Sequence, residues 1–123
     1  MDPRLVDLLN GTIASVWGVE ILLLMRHDPS RAWNSEALVS ELRSSDLVVV
    51  QSLERLERAG LIVRDEGGGS RFSPATPELK RLTDQLDEEY RLRPGLVRRA
   101  IVSPPGDKLS AFTDAFLLRK PSQ

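Results

Sequence analysis

The segment from about Thr12 to Arg26 constrains the fold more than any other part of the chain. Ile13, Val16, Trp17, Val19, Ile21, Leu22, Leu23, Leu24 and Met25 fall on nearly every side of a helix drawn through it. A helix that is apolar all round has to be covered on more than one face. Either the rest of the chain or a second copy must supply that cover. A chain of 123 residues is long enough to do so within one domain. The most apolar run, Val16 to Met25, is interrupted by Glu20 and has about half the roughly 20 residues that a membrane span needs. Met1-Asp2-Pro3-Arg4 leads into no signal-peptide pattern. A cytoplasmic protein without a membrane partner is expected.

Punctuation along the rest of the chain sets the other elements. A short amphipathic stretch, Leu5 to Leu9, is expected to stop at Asn10-Gly11. His27-Asp28-Pro29-Ser30 reads as a turn, and Ala32-Trp33 as a short extended segment. Ser35 is the expected N-cap of a helix over about Glu36–Arg43, with Glu36 facing the positive helix end. Ser44-Ser45-Asp46 breaks that helix and caps the next, which runs to about Ala59, with Gly60 just past its end. Leu61 to Arg64 and Arg71-Phe72 read as two strands around the turn tip Gly67-Gly68-Gly69. Thr76-Pro77-Glu78 is a cap, a proline at the first helical position and an acid in the first turn, opening a helix to about Leu92. Helices over about Pro94–Ser103 and Asp107–Arg119 complete the chain, the last with Leu109, Phe112 and Phe116 on one stripe. The fold class is therefore mainly α with a small β-hairpin.

The stretch Ser35-Glu36-Ala37-Leu38-Val39-Ser40-Glu41-Leu42, the turn Ser44-Ser45-Asp46, and then Val49 to Ile62 carry a resemblance. Their most specific part is the ending Leu53-x-x-Leu56-x-x-x-Gly60-Leu61-Ile62. It packs a helix, stops it at a glycine and turns at once into a strand. Residues ~12–73 resemble the winged helix-turn-helix of bacterial transcription regulators such as the MarR-like proteins. The resemblance implies a single domain over 1–123, with a winged helix-turn-helix core at 12–75. A C-terminal helical extension at 76–123 would then be available for dimerisation. It also implies sequence-specific binding of double-stranded DNA as a homodimer, with the helix at about 46–59 in the major groove and the wing, 61–73, on the backbone. Carried onto matching positions, the expected DNA contacts are Ser44 and Ser45 to phosphates, and Val48, Gln51, Ser52 and Arg55 on the reading helix. Gln51 suits adenine, and Arg55 suits guanine or phosphate. Arg64 and Arg71 would flank the wing tip, with pairing to Asp65 or Glu66 as their alternative.

Charge opens a second reading. The whole chain carries −1. Residues 35–73 hold seven acids against five arginines, and residues 74–123 hold nine bases against seven acids. The half that would grip DNA is the acidic half, whereas phosphate contacts call for bases. A winged-helix protein-protein interaction module, an adaptor or inhibitor of the transcription machinery, is the alternative. Val48 and Val50 would then be part of its contact. Arg91, Arg93, Arg98 and Arg99 form a basic cluster that serves DNA, a dimer or solvent. Trp17 is expected in the core or a dimer seam, or beside a small-molecule pocket.

Catalysis finds no support in the residues. There is no cysteine and one histidine, His27, so cysteine nucleophiles, cysteine zinc sites and histidine clusters are excluded. Asp87-Glu88-Glu89 fan around a helix and do not converge. Gly67-Gly68-Gly69 is followed by no Gly-Lys-Ser/Thr. No enzyme, cofactor or metal is expected. Fourteen arginines against three lysines point to a GC-rich bacterial source.

Overall fold

The computed structural model describes residues 1–102. The expected helix at Asp107–Arg119, with Leu109, Phe112 and Phe116, lies outside them. The described residues are mainly helical, with one two-stranded antiparallel sheet. Helix α1 spans Pro3–Asp7 and runs directly into a π-helix, Leu8–Ile13. Then come α2 (Val16–Arg26), α3 (Ser35–Leu42), α4 (Asp46–Arg58), β1 (Ile62–Arg64), β2 (Ser70–Phe72), α5 (Pro77–Leu92) and α6 (Pro94–Val102). Among these, no single helix is long and apolar enough to cross a membrane.

The expected stop at Asn10-Gly11 does not occur. The chain passes through Gly11 in wide π turns and breaks at Ala14, which adopts a left-handed φ of 61°. Ser15 then caps α2 by accepting from the Gly18 amide at 2.9 Å. Helix α2 therefore starts at Val16 rather than Thr12. Gly18 permits this junction. A Cβ there would stand 2.8 Å from the Ile13 methyl and 3.3 Å from the Ile13 carbonyl oxygen. Gly18→Ala is accordingly expected to cost about 1–3 kcal/mol by overpacking, read as a lower urea midpoint with an unchanged slope. A variant as stable as the wild type would show that the junction yields freely.

The cover for α2 comes from its own chain. Val19, Ile21, Leu22 and Met25 are fully buried, against α4, α3 and β2. Trp17 is the exception, at 38% exposed. The core continues through Leu5 and Leu9, Leu38, Val49, Leu53, Leu56 and Leu61 to Leu82, Leu86 and Val97.

Between α2 and α5 the turn chemistry is mostly as expected. Asn34, not Ser35, caps α3: its side-chain carbonyl reaches the Ala37 amide at 2.7 Å, and Ser35 becomes the first helical residue. Arg43 ends α3 in a left-handed conformation. Ser45 caps α4, and Gly60 follows it at φ 80°. The strands pair Ile62 with Phe72 and Arg64 with Ser70. Trp33 adds a one-residue bridge to Ser70, each backbone amide donating to the other's carbonyl at 2.7–2.8 Å. Thr76 caps α5 with Pro77 at its start.

Candidate interaction surface on the third core helix

Helix α4 was expected to turn Val48, Gln51, Ser52 and Arg55 outward. Its buried face is Val49, Ser52, Leu53 and Leu56. At about 100° per residue, the centre of the outward face falls on Leu47, Gln51, Glu54 and Arg58, flanked by Val50. The expected stripe is thus turned by roughly a quarter of a revolution. Val49, Leu53 and Leu56 by themselves place Leu47, Gln51 and Arg58 opposite the core at this period, and the burial of Ser52, only 4% exposed, widens the packed face on the side toward Val48. Val48 is half-buried, while Gln51 and Arg55 are exposed. Leu47 and Val50 stand out at 65% and 43% exposed. Leu47 is missing from the expected stripe, although the apolar spacing of Val49, Leu53 and Leu56 alone sets it opposite the core.

The other expected phosphate contacts have partners or are covered. The Ser44 hydroxyl oxygen is buried and has no hydrogen-bond partner among the described residues. Ser45 is exposed, and its hydroxyl oxygen accepts from the Val48 amide at 3.3 Å. Arg64 pairs with Glu57 of α4 at 3.3 Å, and Arg71 pairs with Asp65 at 3.2 Å. The wing arginines are therefore neutralised within the molecule. For Arg71 the carboxylate is one of the two named as alternatives; for Arg64 it is an acid on a different element. Asp46 and Glu54 flank Leu47 and Val50, with Glu57 paired to Arg64 and Arg58 further along the same face.

A second region lies between α2 and α5. A groove of about 380 Å3 is lined by Leu23, Leu24, Leu42, Glu20, His27, Asp87, Tyr90 and Arg91. Tyr90 donates its hydroxyl to Glu20, and the Arg98 guanidinium sits 5.9 Å from the Tyr90 ring centre. Burial, reinforced by the Glu20 carboxylate, pushes the Tyr90 hydroxyl above its ordinary pKa. Arg26 of α2 donates to Asp84 at 2.8 and 3.0 Å and to the groove residue Asp87 at 3.1 Å. The Arg26 guanidinium, with Lys80 beside it, holds the Asp84 carboxyl below the usual range against a smaller opposing effect of burial. His27, the first residue of the expected turn, is the C-cap of α2, with Nε2 3.2 Å from an Asp87 oxygen. Of the basic cluster, Arg93 pairs with Glu89 on its own helical face. Among the described residues, no group of three or more acidic or histidine side chains converges on a metal-sized site.

No protein-family model, curated protein or solved structure matches the chain.

Proposed function

We propose that residues 12–75 form a winged helix whose α4 front is a docking surface for a partner protein, as in an adaptor or inhibitor of the transcription machinery. The element order supports the fold reading: α2, the Trp33 bridge, α3, α4 and the β1–β2 hairpin follow one another. The exposure of Leu47 and Val50 carries the functional reading. A helix that enters the major groove presents the residues of its N-terminal half to base edges. That half of α4 would present two aliphatic side chains, Asp46 and one amide, Gln51. Aliphatic groups find only thymine methyls in the groove, and the surrounding carboxylates repel phosphates. An apolar centre flanked by acids instead suits a protein surface with apolar residues flanked by bases, since the centres of protein interfaces are depleted in charge.

DNA binding is the second reading, favoured by the exposure of Gln51 and Arg55. The two separate in one set of experiments. Leu47→Asp/Val50→Asp changes only exposed side chains and should fold as the wild type does. The protein partner captured by the wild-type chain at high salt should bind this variant about tenfold or more weakly, and should bind Gln51→Ala/Arg55→Ala undiminished. In parallel, fluorescent genomic fragments, including the protein's own promoter, should bind weakly and without sequence preference at two salt concentrations. Tight, salt-sensitive binding to one fragment, lost in Gln51→Ala/Arg55→Ala, would overturn the protein reading in favour of a DNA reader.

A further inference from the structure

A polar cleft lies beside the last turns of α4, away from Leu47 and Val50. It has a volume of about 280 Å3 and is lined by Gly11 and Thr12 of the π-helix and by Arg55, Arg58 and Ala59. Arg55 and Arg58 are three residues apart and so adjoin on the helix surface. Among the described residues, neither guanidinium takes part in a side-chain hydrogen bond or an ion pair. Five arginines, Arg4, Arg26, Arg64, Arg71 and Arg93, each hold a carboxylate; what distinguishes Arg55 and Arg58 is that both line one cleft.

The opposite rim is built by the π-helix. Its wide turns carry Gly11 and Thr12 alongside α4 before the chain reverses at Ala14. Thr12 supplies a hydroxyl. Gly11 supplies no side chain, and a Cβ added there would meet nothing within 4 Å. The negative end of the α4 dipole accounts for arginines in its last turns. It does not account for a cleft between them and a Gly-Thr rim that no carboxylate lines.

We propose that this cleft binds the phosphate group of a small phosphorylated molecule. The Arg55 and Arg58 guanidinium groups and the Thr12 hydroxyl donate to its oxygens. Guanidinium forks match phosphate geometry and form charge-assisted bonds of about twice the strength of neutral ones. The volume sits just below the roughly 300–1,000 Å3 of pockets for larger ligands, which suits a phosphomonoester of metabolite size. The cleft shares Arg58 with the outward stripe of α4 but includes neither Leu47 nor Val50, so either proposal can fail without the other.

The test is a nuclear magnetic resonance titration of the 15N-labelled full chain with inorganic phosphate, with phenyl phosphate and, separately, with a DNA duplex. Both phosphate probes are expected to produce saturable shifts at the Gly11 and Thr12 amides and the Arg55 and Arg58 side-chain signals. Arg55→Gln/Arg58→Gln should weaken binding about tenfold or more, each single replacement by less, and Leu47→Asp/Val50→Asp not at all. Three results would overturn the proposal. One is the absence of saturable shifts at the cleft; another is undiminished binding in the well-folded single and double arginine variants. The third is a response to the duplex alone, which would assign the cleft to nucleic acid.

Discussion

Leu22→Ala should remove about 2–5 kcal/mol of stability, the largest single loss expected among the substitutions considered. Leu22 is fully buried on α2, the helix whose flanks are taken up by α3, α4 and β2. Truncating it removes apolar contact area and leaves a cavity that three packed elements cannot all close. For a domain near 100 residues, each kcal/mol lowers the melting temperature by about 4–8 °C, so the loss is readily measured by urea or thermal unfolding. Leu47→Ala provides the contrast. Its side chain is mostly in solvent, and its loss should stay within about 0.5 kcal/mol. Equal losses at the two positions would mean that α4 is rotated so that Leu47 faces the core.

Arg26→Ala should destabilise by about 1.5–3 kcal/mol and should also flatten the acid limb of the stability curve. Arg26 is three-quarters buried and joins the end of α2 to Asp84 and Asp87 of α5. The sign of the pH effect follows from Asp84, whose pKa in the folded protein lies below its unfolded value of 3.8. The stabilisation is fully present above 3.8 and is lost as pH falls through the folded pKa. The wild-type protein should therefore lose stability below about pH 4, and Arg26→Ala should lose less over the same interval. Asp84 is 41% exposed, so solvent screening keeps this component small beside the loss of the hydrogen bonds themselves. Parallel acid limbs in the two proteins would remove Arg26 as the cause.

The proposed docking face and the proposed phosphate cleft share one helix. Leu47 and Val50 sit at the start of α4, and Arg55 and Arg58 at its end. Arg55 belongs to the cleft rather than to the outward stripe. That placement leaves Gln51 as the exposed amide of the outward stripe, with Arg58 at its far end and on the cleft.

Local signals were legible wherever a few adjacent residues decide the outcome. Ser45 caps α4, Gly60 ends it, and Thr76-Pro77 opens α5, as the residues themselves announce. Each depends on short-range hydrogen bonds or on a backbone angle that one residue type adopts at low cost. The apolar character of α2 likewise demanded cover. Two errors show where such signals compete. Asn34 and Ser35 are both good caps, and the geometry of the approaching chain selected Asn34. Asn10-Gly11 reads as a stop, yet packing of Leu8, Leu9 and Ile13 into the core draws the chain through it in π turns.

By itself, then, the amino-acid order determined the element types, most of their ends and the need to bury α2. Tertiary packing alone decided what covers α2, that Ser52 faces inward, that Glu57 and Asp65 occupy the wing arginines, and that Arg55 and Arg58 meet Gly11 and Thr12 across a cleft. Helix propensity and capping act over a few residues. The rotation of a helix about its axis is set by the sum of its contacts with partners distant in sequence, of which Val49, Ser52, Leu53 and Leu56 are the ones that fix α4.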